Sequence, residues 1–304
     1  MTHITIGSRG SQLALWQSRW VAAELERRGF STSLEIIKTT GDRITGVPLS
    51  QVGGKGLFTK ELEEALLAGS IDIAVHSLKD MPTELPEGLT LAATPVREDP
   101  RDALIGGALA QLPRGARVGT SSLRRSAQLR HARPDLVIES VRGNLDTRLR
   151  KLDDGQYDAI LLAAAGLRRL GWADRIAELL PIEIMCPAAG QGALAIEALA
   201  HGSPGALAAC RALEDAATRA AITAERATLA ELGGGCQVPI GAYASVDGDT
   251  LQLRALVADP TGRLAPVVCS AQGSADEAEA LGRQAAEQLL ASGAGEILEA
   301  VYGS

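Results

Sequence analysis

Aromatic rings are scarce in this chain: three Trp, three Tyr and two Phe among 304 residues. Such a protein has few platforms on which to stack single-stranded bases, so a nucleic-acid partner of that kind is not expected. Cysteine is sparse as well. Cys186, Cys210, Cys236 and Cys269 lie far apart with no Cys-x-x-Cys pair, and His3, His76, His131 and His201 show no ligand spacing. Neither a disulfide framework nor a zinc site is suggested, and no metal is expected. No stretch approaches the roughly 18 to 20 apolar residues that spanning a bilayer requires. Residues 1–19 lack a basic segment followed by an apolar one, so a soluble, cytoplasmic protein without a membrane partner is expected. Lysine is confined to positions 38, 55, 60, 79 and 151, which leaves 25 of the 30 positive charges to Arg. Arg pairs bidentately with carboxylates and phosphates, but genomic base composition also favours it, so the ratio alone decides little.

What is present is an ordinary globular composition, 46% hydrophobic and 22% charged, in a chain long enough for two or three domains. The charge is uneven. Thirty positive against 37 negative residues give −7 overall, yet residues 114–151 hold ten positive and three negative side chains, a local +7 that leaves −14 elsewhere. A basic block in an acidic chain fits a cleft that collects small anions better than a nucleic-acid surface; a solvated helix face is the plainer alternative.

Residues 3–7 alternate like a strand, and after Ser8-Arg9-Gly10 the positions Leu13, Trp16, Trp20 and Ala23 mark one helix face. Residues 33–38 read as a second strand, and the glycine-rich stretch 39–57, without either period, reads as a long mobile loop. Thr59 is a candidate cap for a helix to about residue 69. A strand over 71–75 leads into His76-Ser77-Leu78-Lys79-Asp80-Met81-Pro82, and another follows at 89–94. In open α/β sheets, ligands gather at the C-terminal ends of strands. The second half repeats this outline: a strand over 116–119, the turn Thr120-Ser121-Ser122, then a helix from Leu123 to about residue 133. Both turns put small hydroxyl residues and backbone amides at a helix N-terminus, which suits carboxylate or phosphate oxygens, and two such openings facing one another would form an anion cleft. Strands over 136–140 and 159–162 with intervening helices predict a largely parallel sheet. Residues 204–232 read as helical. Strands over 240–246, 251–258 and 267–270, then a helix started by a Ser274/Glu277 capping box, predict a small terminal α+β domain. The fold class is thus α/β, two similar units plus a small C-terminal α+β domain.

Asp80, at the end of a predicted buried strand, could be held out of bulk water with its proton affinity tuned, although Asp is also a common turn residue. Ser77 and Lys79 share that position, and His76 reads as a core residue. Cys236 lies in Gly233-Gly234-Gly235-Cys236-Gln237-Val238-Pro239, where three glycines leave the sulfur accessible for covalent attachment. Most free cysteines pack as small hydrophobes, the reading given to the other three. Arg9, Arg124, Arg125, Arg142 and Arg148 fall near predicted strand ends, which suggests a ligand with several carboxylates; any one of them could equally be a surface ion pair worth under about 1 kcal/mol.

Taken together, Val52-Gly-Gly-Lys-Gly-Leu-Phe58, His76-Ser-Leu-Lys-Asp80, Gly119-Thr-Ser-Ser-Leu-Arg-Arg125, Arg142-Gly-Asn, Pro187-Ala-Ala-Gly-Gln-Gly192 and Gly-Gly-Cys236-Gln-Val-Pro-Ile-Gly resemble, in order, the motifs of the hydroxymethylbilane synthase, or porphobilinogen deaminase, family. The resemblance spans nearly the whole chain. It implies two periplasmic-binding-protein-like α/β domains, 1–96 with 193–216 and 97–192, and a third domain, 217–304, carrying the cysteine loop. It also implies a dipyrromethane cofactor joined to Cys236 by a thioether, and four deaminating head-to-tail condensations of porphobilinogen followed by hydrolytic release of hydroxymethylbilane. By the same match Asp80 is the catalytic carboxylate. Ser77, Lys79, Ser122, Arg124, Arg125 and Arg148 are similar to cofactor-binding positions, Arg9, Ser11, Arg142, Arg148 and Arg169 to substrate-binding positions, and Lys55 and Phe58 to a mobile loop. A monomer is expected. Departures are small: the link over 106–113 is shorter than in some members, and Gly233 stands where an acidic residue is common. A non-catalytic anion receptor would share the arginines and the helix N-termini but would have no use for Cys236 or Asp80.

Overall fold

The computed structural model describes residues 2–43, 56–234 and 238–302. The chain divides into two units, Met1–Glu98 with Ala193–Arg219, and Asp99–Gly192 with Ala220–Ser304. In chain order the elements begin with β1 (His3–Ser8), α1 (Gln12–Arg27), β2 (Ser31–Ile36), the short α2 (Thr40–Arg43), α3 (Lys60–Leu67), β3 (Ile73–Ser77) and β4 (Leu89–Ala93). They continue with β5 (Asp102–Ile105), β6 (Arg117–Gly119), α4 (Leu123–Ala132), β7 (Val137–Glu139), α5 (Leu145–Asp153), β8 (Ala159–Ala163), α6 (Ala164–Arg169) and β9 (Glu178–Leu179). The last are β10 (Leu194–Leu199), α7 (Pro204–Leu213), α8 (Ala216–Glu231), β11 (Ile240–Asp247), β12 (Thr250–Val257), β13 (Val267–Ser274), α9 (Ala278–Leu289) and α10 (Gly295–Tyr302).

The first unit holds a sheet ordered β2-β1-β3-β10-β4, and the second a sheet ordered β7-β6-β8-β5-β9 together with the meander β11-β12-β13. Parallel pairing needs a crossover, usually a helix, and it occurs where helices separate the strands: β1 with β2 and β3, β6 with β7 and β8. Strands β10 and β5 each run antiparallel to both neighbours. The expected largely parallel sheet is therefore mixed. Strand β10 escapes sequence reading because residues 194–199, Leu-Ala-Ile-Glu-Ala-Leu, favour a helix by intrinsic propensity, and a central place in the sheet overrides it.

Each sheet carries its own core. Ile4, Ile6, Ile73, Val75 and Ile196 pack against Val21 and Leu25 of α1 in the first unit. In the second, Leu104, Val118, Leu129 and Leu161 fill one sheet face and Ile105, Ile160, Leu162 and Leu167 the other. The meander packs Leu251, Leu253 and Ala255 on Ala285 and Leu289 of α9. Three local expectations are corrected. The buried stripe of α1 is Ala14, Gln17, Ser18, Val21, Ala22 and Leu25, one position on from the predicted face, and Ala23 is exposed. Thr59 stands before α3 in a helical conformation and its hydroxyl makes no capping bond. Ser274 accepts from the amide of Asp276 at 3.3 Å and opens a 3-10 turn, Ala275–Glu277, instead of a capping box. The loop expected over 39–57 includes α2, while its residues 44–55 lie outside the described residues.

Candidate active site

At the C-terminal end of β1, Gly7 sits so close to Ile71 that a Cβ there would lie 2.4 Å from its Cδ1, which brings the strand end tight against the layer beneath it. The chain then turns through Arg9 and Gly10 into α1, whose first turn is capped by the Ser11 hydroxyl accepting from the amide of Ala14 at 3.3 Å. β3 lies parallel beside β1, with Gly7 opposite Ala74, so Ser77 emerges at the same edge of the sheet. Gln17 of α1, 2% exposed, donates from Nε2 to the Ser77 hydroxyl at 2.8 Å. One residue earlier, the buried His76 meets Glu197 of β10 at 3.0 Å.

Beyond Ser77 the chain forms a single 3-10 turn, Leu78–Asp80. Leu78 and Met81 are 1% and 4% exposed and anchor it. The Leu78 amide donates to the Ala193 carbonyl at 3.1 Å, and the Met81 amide to that of Leu78 at 3.0 Å. Between these anchors Lys79 and Asp80 are half-buried, held in place but open to a ligand.

The second unit builds its counterpart from β6 and α4. A Cβ at Gly119 would lie 3.0 to 3.1 Å from Ile160, Tyr157 and Val141, so this strand end too is closely seated, though less tightly than Gly7. Thr120 Oγ1 accepts from the Ser122 amide at 3.2 Å, Ser121 donates to the Val141 carbonyl at 2.7 Å, and Ser122 caps α4 by accepting from the Arg125 amide at 3.4 Å. These bonds leave the N-terminus of α4, positive by its dipole, at the strand edge. Val141 runs into Arg142 and Gly143, whose φ of +111° admits glycine readily and other residues with strain. Arg148 Nε donates to the Gly143 carbonyl at 2.7 Å, and both Arg142 and Arg148 are half-buried. Arg169, at the end of α6, is 9% exposed and donates to the Gly192 carbonyl at 2.7 Å.

Arg124 and Arg125 occupy a different setting from the half-buried arginines. They are 4% and 6% exposed and turn inward, Arg124 to Asp102 Oδ2 at 2.7 Å and Arg125 to Oδ1 at 2.7 Å. Gln191 Nε2 donates to the same Oδ1 at 2.9 Å. Burial alone would raise the Asp102 carboxyl, but the two guanidiniums overwhelm it and hold it far below the usual carboxylate range. One carboxylate set against two guanidiniums leaves an excess of one positive charge. Much of the rest of the basic block is also engaged: Arg133 with Asp135 at 2.8 Å, Arg130 with the Pro260 carbonyl at 2.5 Å, Arg117 with the Gly155 carbonyl at 2.9 Å. The local +7 is thus partly structural. Sequence reading missed Asp102, although a lone acid opening the apolar run Asp102-Ala-Leu-Ile, in a chain with two consecutive buried-side arginines, is a usable signal for a buried pair.

The structure brings Arg9, Ser11, Phe58, Ser77, Lys79 and Asp80 into the first unit and Ser122, Arg124, Arg125, Arg142, Arg148 and Arg169 into the second. Lys55 and Cys236 lie outside the described residues. Each unit presents donors of its own, hydroxyls with an ammonium and a guanidinium in the first and a helix N-terminus with guanidiniums in the second, of the chemistry that the carboxylates of a dipyrromethane need. The three described cysteines are poor candidates to hold such a group. Cys186, Cys210 and Cys269 are buried, and burial pushes the first two thiols up to about 12. Among the described residues no group of three or more His, Cys, Asp or Glu could hold a metal ion.

Strand-end turns that open into helices on α/β units are places where such folds bind small anions. Residues 4–203 match the family described as porphobilinogen deaminase, dipyromethane cofactor binding domain, and residues 219–291 the porphobilinogen deaminase C-terminal domain. The chain belongs to the porphobilinogen deaminase family. It is 53% identical to the porphobilinogen deaminase of Geotalea uraniireducens over 98% of this chain and 95% of that one. It is 54% identical to that of Geobacter metallireducens over 98% and 95%, and 53% identical to that of Pelobacter propionicus over 98% and 97%. Solved structures with a similar fold include the methionine binding protein MetQ (TM-score 0.43, 14% identity, 69% of this chain and 89% of that one) and the lipoprotein Tp32 of Treponema pallidum (TM-score 0.43, 13%, 70% and 90%). The activity is a transfer reaction of tetrapyrrole biosynthesis, with a dipyrromethane cofactor: four porphobilinogen molecules condense head to tail with loss of ammonia, and hydrolysis releases hydroxymethylbilane.

Proposed function

We propose that Asp80 performs the proton chemistry of this condensation, that Arg9, Ser11, Arg142, Arg148 and Arg169 bind the carboxylates of porphobilinogen, and that Ser77, Lys79, Ser122, Arg124, Arg125 and Arg148 hold the cofactor, which is joined to Cys236. The observation that carries the reading is the Asp80 turn: a half-buried carboxylate fixed between two buried anchors, at the sheet edge that also presents Ser77 and Arg9.

Porphobilinogen must lose ammonia before it becomes an electrophile. Asp80, protonated, gives its proton to the departing amine; as a carboxylate it then stands against the azafulvenium-like cation left on the substrate. When the new carbon–carbon bond forms, a pyrrole carbon sheds a proton, and Asp80 takes it, ready for the next cycle. The cofactor, when bound, supplies the nucleophilic pyrrole position. Lys79, beside Asp80, pairs with acetate or propionate groups. The half-buried guanidiniums present N–H edges suited to such groups. Arg124 and Arg125 act from beneath, through the excess positive charge of their cluster with Asp102 and through the capped N-terminus of α4.

We further read the chain as three domains, 1–96 with 193–216, 97–192 and 217–304, and the protein as a cytoplasmic monomer without a nucleic-acid or membrane partner. The separate meander core of Leu251, Leu253 and Leu289 supports a third folding unit, and no helix among the described residues is long and apolar enough to cross a membrane. Intact-mass measurement tests the assignment. The purified protein should exceed its sequence mass by two linked pyrrole units, and Cys236→Ser should lose that excess together with activity. An active protein of unmodified mass would overturn the reading.

A further inference from the structure

The strand that leads to Asp80 is paired unevenly. β1 is in register with β3 only at Ile73 and Ala74, whereas β10 follows β3 to its end, with Ala195 opposite His76 and Leu194 opposite Ser77. The last three residues of β3 therefore have a single strand beside them. Successive residues of a strand face opposite ways. Ile73 and Val75 pack with Val21 and Leu25 of α1, and Ala74 packs with Leu62 and Leu66 of α3. Each face adds one side-chain tie at this end. On the α1 face Gln17 donates to the Ser77 hydroxyl at 2.8 Å. On the α3 face His76 Nε2 and Glu197 Oε2 lie 3.0 Å apart, their side chains 3% and 0% exposed. A carboxylate only accepts, so the ring donates.

The second tie is expensive. Glu197 Oε1 is buried without a hydrogen-bond partner, as is Glu63 Oε1 of α3, and a buried polar atom left unpaired costs free energy that a well-packed apolar pair would not. Glu63 feels both members of the pair, and burial raises its carboxyl, which spares them a second negative charge. Packing alone gives no reason to keep such a bond here, but its place does. His76 stands four positions ahead of Asp80, and between them the Leu78 amide carries the contact with β10 one step further by donating to the Ala193 carbonyl at 3.1 Å. We propose that His76 and Glu197 are positioning residues for the known reaction: their bond across the strands pins the one-sided end of β3 and so sets where the following turn holds Asp80. The proposal rests on the reading of Asp80 as the carboxylate that handles protons. Neither side chain touches substrate, so their effect belongs to the chemical step and not to affinity.

The test uses cofactor-loaded full-length enzyme, checked by intact mass and by thermal melting, with porphobilinogen as the varied substrate. His76→Phe alone would leave a buried carboxylate unpaired and unsettle the fold, so the informative variant is the double His76→Phe with Glu197→Leu, which removes bond and charge together. It should melt within a few degrees of the parent, keep KM within about twofold, and lose about ten- to a hundredfold in kcat, the scale of a small misplacement of a reacting group. Glu197→Gln, whose amide oxygen still accepts from the ring, should keep kcat within about threefold. A merely structural pair would give the well-folded double variant the parent kcat, and that result overturns the proposal, as does a loss that falls on KM instead. A loss of about tenfold or more in kcat for Glu197→Gln would mean that charge and not the bond matters, and would overturn it too. If the double variant folds poorly, His76→Phe with Glu197→Gln takes its place, with the same loss expected relative to Glu197→Gln alone and the same results overturning it. Parent turnover in Asp80→Asn is a separate outcome, which would overturn the reading of Asp80 whatever the other variants do.

Discussion

The division of labour among single residues follows from how each is held. Asp80 sits on a turn anchored by two buried apolar side chains, Leu78 and Met81, so the backbone there tolerates a neutral isostere. Asp80→Asn should melt within a few degrees of the parent yet lose about 10²- to 10⁴-fold in turnover, the usual scale of a general acid–base group; near-normal tetrapyrrole formation in a single-turnover assay would take Asp80 out of the mechanism. The cysteines divide the same way. Burial pushes the Cys186 and Cys210 thiols up to about 12, so at pH 8 almost no thiolate exists at either. Peptide mapping after brief treatment of the native protein with iodoacetamide should find both unmodified, and rapid labelling of either would contradict the burial described for them.

At the scale of elements, the bracket formed by Asp102 at the start of β5 with Arg124 and Arg125 on α4 ties a strand to a helix through charge. Removing the acid leaves two guanidiniums buried without a counter-ion, which costs about 3 to 5 kcal/mol. Asp102→Asn should therefore lower the unfolding transition of the second unit by that amount in a denaturant titration, whereas a loss below about 1 kcal/mol would mean the pair is readily replaced by water. Which elements the sequence discloses depends on whether their cause is local. Alternation over residues 3–7 and the turn Thr120-Ser121-Ser122 are local signals, and the corresponding elements stand within a residue or two of where they were expected. Gln17 is different: it is buried on α1 because Ser77, sixty positions away, waits for its amide, and no periodicity reveals that. β10 and the inward turn of Arg124 and Arg125 are likewise decided by partners remote in sequence, so the charge block reads as an anion site when part of it is internal scaffolding.

For the molecule as a whole, acid acts on its buried carboxyls in opposite senses. In the second unit Asp99, Asp102 and Asp259 all have lowered carboxyls; burial opposes this, but Arg101 and Arg168 at Asp99, Arg124 and Arg125 at Asp102, and hydrogen bonds from Thr261, Arg263 and Leu264 at Asp259, which sits at about 2, prevail. The stability these groups contribute is present above the unfolded carboxylate range near pH 4 and is lost as pH falls through the lower folded values. In the first unit, burial raises Glu63. Its contribution is whole below the unfolded value and fades as pH climbs through the raised one. Glu63→Gln should accordingly raise the melting temperature at pH 8 and leave it little changed at pH 4, and an equal gain at both values would show that charge is not the cause. The Tyr302 hydroxyl meets the Leu232 and Gly233 carbonyls at 3.2 and 3.1 Å. The turn that closes α8 is thus latched to α10 by one phenol some seventy positions away, and a change at Tyr302 is felt at residues 232–233.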